Sequence, residues 1–391
     1  MKRALMVSVL IALSAVAGLA QLGKTPGIPA GSPQDRALLA IEQESDLAKK
    51  IALLEKFVQE FRGDARLLGY RRLQASYLKA GEFDKAVLSA LQALRLDPSD
   101  FATMTNLTRA FAQKQNVAQA FNYGILAAGL VQRLQAAGPP EGTPADIWEN
   151  HKANLLERHR PDYQFLEYSL YQLGLQQSDP AMQAGLFERY LDAFTDSRYF
   201  SSAFQACLGA YQRTMNADKV LEVGEKTLAR DPENPLLNVI AADALSEMGQ
   251  HLERAETLAQ AVPELADKAA RPEHQSEEQW AQQQNTWKGL AYSIRGLILM
   301  HRADREPNKQ LGRKKTAEAI EKFRQAEPLL GGKLVAHARN LFRLGFAHAK
   351  LGQLEPARRY LLQVVEIESP YKAAAEQLLT KVDEARAKRR P

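Results

Sequence analysis

Residues 67–100, which decide the fold, read LLGYRRLQASYLKAGEFDKAVLSALQALRLDPSD. The stretch carries two apolar stripes with the three- and four-residue spacing of α-helices, and Gly81 separates them. Asp97 and Pro98 end the second stripe, because proline cannot continue a helix. The pattern therefore predicts a hairpin of two short helices that cross closely at small side chains. The two stripes consist of Tyr70, Leu73 and Tyr77, and of Phe83, Ala86, Ala90 and Ala93.

A single hairpin of this kind cannot bury both of its apolar faces, so it has to stack against similar neighbours. The chain contains such neighbours, and no sustained alternation typical of strands occurs from Asp35 onward. We therefore expect an all-α protein. The related stretches are 101–134, 201–234, 235–263 and 338–371, with one copy split into 287–300 and 316–330 around the polar insert 301–315.

These stretches resemble the tetratricopeptide repeat, a 34-residue helical hairpin with small residues at positions 8, 20 and 27, a glycine near 15 and a proline near 32. Residues 67–100 depart from the pattern at Gln74 and Ala90, and 338–371 carries its proline one residue late, at Pro370. The resemblance implies a TPR-like helical-hairpin solenoid, an α-α superhelix. The matching residues are Tyr77, Gly81, Phe83, Ala86, Ala93 and Pro98; Leu107, Phe111 and Ala120; Phe204, Tyr211, Ala217 and Pro232; and Leu341, Leu344, Gly345, Gly352, Leu354, Ala357 and Leu361.

A longer repeat indicates that a block was duplicated. Residues 46–61 align with 179–194 at an offset of 133, and this alignment pairs Glu55 with Glu188. We predict two related halves and a final helix that caps the array. The predicted segments are a signal peptide at 1–20, a flexible leader at 21–34, repeats at 35–135, a Pro/Gly-rich join at 136–161, a second block at 162–268, a polar linker at 269–284, repeats at 285–371, and a capping helix with a basic tail at 372–391.

The N-terminus is typical of a secretory signal. Lys2 and Arg3 precede the apolar run 4–18, and Gly18 and Ala20 are small residues at the positions that a signal peptidase reads. We expect cleavage after Ala20 and export to the periplasm or the extracellular space of a bacterium. The alternative is an uncleaved anchor, although the run is shorter than the roughly 20 residues that span a bilayer. After cleavage we expect no stable membrane insertion.

Composition excludes several functions. The net charge is +5, and without Lys2 and Arg3 it would be +3, too mild to indicate a nucleic-acid partner. Cys207 is the single cysteine, and we expect it to be a buried apolar side chain. His151 and His159 could share a helix face, but nothing supplies a third metal ligand. With no phosphate loop, metal motif or nucleophile motif, we expect no enzyme, cofactor or metal.

The resemblance also implies a concave groove lined by the first helix of each repeat. At the groove positions we find basic, amide and aromatic residues and no carboxylates, which favours an acidic or C-terminal peptide segment as ligand. The family's clamp for chaperone C-termini is matched only in part, since Ala75 stands where asparagine is expected. The candidate binding residues are Arg71, Arg72, Lys79, Asn106, Arg109, Gln205, Gln212, Arg213, Arg339, Phe342, Arg343, Phe346 and Lys350.

The sequence therefore predicts a non-catalytic interaction scaffold or adaptor of the bacterial cell envelope. Two alternatives remain open. A periplasmic holdase would bind many unfolded clients, whereas an accessory subunit of an envelope or export complex would copurify with a membrane assembly. The sequence leaves the oligomeric state undetermined.

Overall fold

The computed structural model describes residues 22–331 and 334–388. The predicted signal peptide at 1–20, and residues 389–391 of the predicted basic tail, lie outside this part of the chain. Within the described residues the regular secondary structure is entirely helical. The helices are α1 (Pro33–Gln43), α2 (Leu47–Glu60), α3 (Gly63–Ala80), α4 (Phe83–Leu96), α5 (Phe101–Gln113), α6 (Val117–Ala136), α7 (Ala145–Leu175), α8 (Pro180–Ala193), α9 (Phe200–Arg213), α10 (Ala217–Leu228), α11 (Pro235–Met248), α12 (Leu252–Lys268), α13 (Glu277–Asp304), α14 (Lys309–Leu330), α15 (Leu334–Lys350), α16 (Leu354–Glu366) and α17 (Lys372–Ala387).

The helices form two compact units, one ending at Leu173 and the other beginning at Gly174. In each unit consecutive helices pack as antiparallel hairpins, as between α3 and α4 or between α15 and α16. The first helices of successive hairpins also contact one another. In the first unit α3 contacts α5, and in the second unit α11 contacts both α9 and α13. Each unit is therefore a TPR-like array of stacked hairpins, the architecture that the apolar stripes predicted. Ala375 and Val382 of α17 are buried in the core of the last hairpins, so α17 is the capping helix.

The turn inside five of the hairpins has the same backbone conformation at the same repeat position. Position 15 adopts a left-handed φ in five repeats, where it is occupied by Gly81, Gln115, Met215, Gly249 and Gly352. Glycine takes this conformation without steric cost, whereas glutamine and methionine bring Cβ close to the backbone. The 34-residue register thus continues through repeats whose sequences have lost the glycine.

The aligned stretches 46–61 and 179–194 make equivalent hydrogen bonds. The Tyr77 hydroxyl donates to Glu55 in the first unit, and the Tyr211 hydroxyl donates to Glu188 in the second. Both bonds join a helix of the duplicated block to the first helix of the following hairpin.

Four predicted segments differ from the structure in extent. The join is a loop only over 137–144, because residues 145–161 form the first half of α7, which contains Pro161. The polar linker ends where α13 begins, at Glu277, after a capping box at Ser276. The polar insert 301–315 is mostly helical, since α13 and α14 extend through it. The predicted leader is held against the first unit, with Leu22 buried.

Close contact between the helices of a hairpin depends on small residues. In α15, a Cβ added at Gly345 would lie 2.8 Å from Cγ and Cδ2 of Leu361 in α16. Ala357 of α16 is completely buried beside this contact. The two helices can therefore approach closely only while position 345 lacks a side chain.

We predict that Gln115→Gly stabilises the protein by about 1 kcal/mol, because it relieves a left-handed conformation in a residue with a Cβ. The matched control is Ala75→Gly in the exposed middle of α3, which should destabilise by about 1 kcal/mol because glycine weakens a helix interior. Chemical denaturation of both variants measures the difference. A loss of stability in Gln115→Gly would contradict the turn assignment.

We predict that Gly345→Ala destabilises the protein by about 1–3 kcal/mol, because the added methyl group overpacks the α15–α16 contact. The same change at Gly185, an exposed position in α8 with no atom within 4 Å of an added Cβ, should be neutral or stabilising by up to about 1 kcal/mol. Thermal unfolding should therefore show a lower midpoint for Gly345→Ala and an unchanged or higher midpoint for Gly185→Ala. Equal shifts would indicate that the helices are not in close contact at Gly345.

Candidate functional site

In the first unit the predicted groove residue Arg71 is engaged by carboxylates of the same chain. Its guanidinium donates to Asp100 Oδ2 at 2.5 Å and to Asp97 Oδ2 at 3.0 Å. Its third contact, at 3.0 Å, is the main-chain carbonyl of Lys24, in the segment that precedes α1. Both carboxylates are buried, and the arginine side chain is 21% exposed. The positive charge of Arg71 is therefore already neutralised within the chain.

The departure from the repeat pattern at Gln74 belongs to the same network. Gln74 is buried, and its side-chain amide donates to the Thr103 hydroxyl at 2.7 Å. That hydroxyl donates to Asp100 Oδ2 at 2.8 Å, and Asp100 also caps the N-terminus of α5 by accepting from the Thr103 amide. A small residue at position 74 would leave the Thr103 hydroxyl without this donor.

The other candidates in the first unit are dispersed. Arg72 pairs with Glu42 at 2.6 Å, and Arg109 pairs with Asp162 at 2.8 Å while its guanidinium lies over the ring of Phe165. Lys79 is exposed and Asn106 is half-buried. Of the first-unit candidates, only Arg71 lines the cavity of about 790 Å³ beside α3, α5 and α7.

The second unit contains an open cavity of about 710 Å³ on the face formed by the first helices of its hairpins. Its apolar lining includes half-buried side chains and Val335, which is 54% exposed. Three predicted candidates lie in this lining: Gln205, Gln212 and Arg339. The apolar residues are Leu208, Leu236, Val239, Ile240 and Ala244 from α9 and α11, Leu290 from α13, and Val335 and Ala336 from α15.

The arginines of α15 are paired with carboxylates of α11. Arg339 lies 2.8 Å from Asp243, and Arg343 binds Glu247 as well as the Ser293 hydroxyl at 2.9 Å. Burial lowers the pKa of Arg339, but the Asp243 carboxylate outweighs this effect, so the net pKa is raised. Arg343 is 8% exposed, so neither arginine offers an uncompensated charge to a ligand.

The remaining candidates of the second unit lie outside the cavity lining. Arg213 donates to Gln183, and Lys350 pairs with Asp304. Phe342 packs 6.1 Å from the Tyr371 ring, measured between ring centroids, while Phe346 is 44% exposed. The second-unit groove is thus lined mainly by apolar side chains, and Gln205, Gln212 and Arg339 are the predicted candidates that lie in it.

The sequence pattern missed the carboxylates that face these arginines. Asp97 and Asp100 lie in an inter-repeat turn, and Asp243 and Glu247 lie on α11, the first helix of the repeat 235–263, from which no candidate residue was taken. The Asp-Pro motif that ends the first repeat was visible in the sequence, but its contact with Arg71 depends on the packing of α5 against α3.

His151 and His159 lie at the first-unit cavity, and Cys207 is buried in the second unit. His151 and His159 both line the first-unit cavity, yet the described residues contain no group of three or more His, Cys, Asp or Glu side chains suited to a metal ion. Burial lowers the pKa of His159. Cys207 is completely buried, and its thiol contacts the Ala184 carbonyl at 3.6 Å. In the part of the chain that the structure describes, no helix is long and apolar enough to span a membrane.

The family comparison identifies one repeat. Residues 338–371 match the tetratricopeptide repeat model. This is the stretch formed by α15, α16 and the turn that follows them. No curated protein matches the chain.

Solved structures with a similar arrangement include the three that follow. Yeast Tom70 shares 11% identity at a TM-score of 0.34, over 91% of this chain and 95% of that one. The P58(IPK) TPR domain shares 12% identity at a TM-score of 0.28, and the match covers 92% of this chain and 100% of that domain. A chain of the APC/C hetero-tetramer Cut9–Hcn1 shares 13% identity at a TM-score of 0.25, and the match covers 90% of this chain and 77% of that one.

We predict that Cys207 does not react with a thiol reagent such as DTNB in the native protein at pH 8, because burial raises the pKa of its thiol to about 12. In denaturant the same thiol should react fully within minutes, since an exposed cysteine has a pKa near 8.5. Rapid labelling of the folded protein would contradict the burial of this side chain.

Proposed function

We propose that this protein is a non-catalytic interaction scaffold of the bacterial cell envelope that binds a segment of another protein in the second-unit groove. The observation that carries the proposal is the open cavity of about 710 Å³, whose walls come from four successive first helices, α9, α11, α13 and α15. Stacked hairpins present such a face with little ordering cost, because their helices are held by their own cores. The export of the chain is inferred from residues 1–20.

The groove favours an apolar segment over the acidic one expected from its arginines. Ile240, Leu290 and Val335 line it with incompletely buried side chains, whereas Arg339 and Arg343 already have carboxylate partners. Asp243 retains one buried carboxylate oxygen without a hydrogen-bond partner. Because that oxygen has almost no accessible surface, a ligand does not reach it, and the apolar side chains of an amphipathic helix or an extended segment supply the binding.

The two alternatives to a specific adaptor are a holdase and an accessory subunit of an envelope complex. An apolar groove suits the holdase, because unfolded chains expose apolar side chains. The Asp243–Arg339 ion pair in the groove lining favours the adaptor, because fixed charges select for polar groups at one place in the ligand.

The proposal predicts that Val335→Arg reduces binding of the partner at least about tenfold, because a charge would have to be desolvated in the apolar groove. The matched control is Leu311→Arg on α14, a side chain of similar exposure in the same unit that does not line the cavity. Both variants should match the wild type in circular dichroism.

The partner is identified first by photo-crosslinking. One variant of the chain carries the photo-crosslinking amino acid at Phe346, an exposed position on α15, and a second variant carries it at Leu236 in the groove. The identified partner is then purified, and its affinity is measured for wild type, Val335→Arg and Leu311→Arg. Equal affinities for all three proteins would refute the groove assignment. Crosslinks to many unrelated unfolded chains would support the holdase instead, and recovery of a membrane assembly would support the accessory subunit.

A further inference from the structure

The segment 22–27 lies against the helices of the first unit. Leu22 is buried, and it lines a cavity with Val131 of α6 and with Leu156 and Tyr163 of α7. This segment precedes α1 and has no regular secondary structure, so its position is set by the surface on which it lies. The apolar side chain of Leu22 anchors one end of it.

The site contacts both main-chain groups of one residue. The Lys24 amide donates to Asp97 Oδ2 at 2.6 Å, and the Lys24 carbonyl accepts from the Arg71 guanidinium at 3.0 Å. Further along, the Gly27 amide donates to Asp64 Oδ2 at 3.0 Å. These contacts do not depend on the side chains of the bound segment, so they would hold any chain that adopts the same extended path.

The site excludes a side chain at the second residue. Gly23 has φ of +117°, and an added Cβ would lie 3.1 Å from Arg71 Nη2, 3.2 Å from Asp97 Oδ2 and 3.3 Å from the Asp100 Cα. Both the backbone conformation and the available space therefore require glycine. Because the Arg71 and Asp97 side chains are fixed by the buried network, they cannot move aside cheaply.

The charges around the site favour a basic third residue. Asp97 and Asp100 place two buried carboxylates against the single guanidinium of Arg71. The Lys24 ammonium donates to the Leu96 carbonyl at 3.2 Å, at the C-terminus of α4, where the helix dipole favours a cation. The cavity of about 790 Å³ next to the segment also receives Arg158, His151 and His159 from α7, on its far wall.

We propose that this site on the first unit is a second protein-binding site, which takes an extended partner segment of the form apolar–Gly–basic, and that residues 22–27 fill it as an internal competitor. The main-chain contacts make the site able to accept a segment in trans, and the cavity beside residues 22–27 leaves room for a partner that is larger than the internal segment. A partner gains access by displacing these residues, so its apparent affinity is reduced by the fraction of molecules in which the site is filled. This site is separate from the second-unit groove.

The test uses a fluorescent peptide with the sequence of residues 22–30, LGKTPGIPA, and the full chain carrying Gly23→Val. Hydrogen exchange at residues 22–27 measures release of the internal segment, and fluorescence anisotropy measures binding of the peptide. We expect faster exchange in the variant, and peptide binding at least about tenfold tighter than to the wild type, because the competitor is removed. Peptides with valine in place of the glycine, or glutamate in place of the lysine, should bind at least about tenfold more weakly.

A second variant, Lys24→Glu, changes an exposed side chain and guards against misfolding of Gly23→Val. Thr25→Ala, also exposed, is the matched control and should leave both exchange and binding as in the wild type. If the internal segment is released but the peptide binds neither variant, residues 22–27 are a fixed part of the fold and the proposal is wrong. It is equally wrong if neither variant releases the segment. Val335→Arg should leave peptide binding unchanged, so failure here is distinguishable from failure of the proposed groove function.

Discussion

The structure depends on one constraint, which is that each two-helix hairpin has apolar residues on both faces and can bury them only against another hairpin. A left-handed residue at position 15 closes five of the hairpins at the same point, and small residues such as Ala357 and Gly345 bring the helices of the α15–α16 hairpin together. Stacking then places the first helices of neighbouring hairpins side by side. The candidate grooves on both units are consequences of this packing, because they lie on the layer of first helices.

Charge pairing between helices decides what these grooves can bind. Each arginine at positions 71, 339 and 343 lies close to carboxylates that are remote in sequence, and the resulting pairs are partly or fully buried. A buried pair is strongly destabilised when one partner is removed, so these arginines serve the interior of each unit. What remains available to a ligand is apolar surface in the second unit and a set of main-chain contacts in the first.

The two units therefore offer different kinds of recognition. In the second unit an open apolar cavity is available directly. In the first unit, Asp97 and Arg71 bind the main chain of Lys24, and Gly23 is required by the close approach of the same two side chains. If both proposed sites bind partners, the open site is available at all times and the internally filled site binds only in competition with residues 22–27.

The sequence by itself determined the helical hairpins, their 34-residue register and the burial of Cys207. These features follow from local spacing of apolar residues, glycine and proline, which act within one or two turns of chain. Only the tertiary structure decided which charges are free, because the partners of Arg71 and Arg339 lie 26 to 96 residues away. It also decided that residues 22–27 are bound, since a segment rich in glycine and proline has no periodicity, and its position depends on carboxylates that stacking brings together.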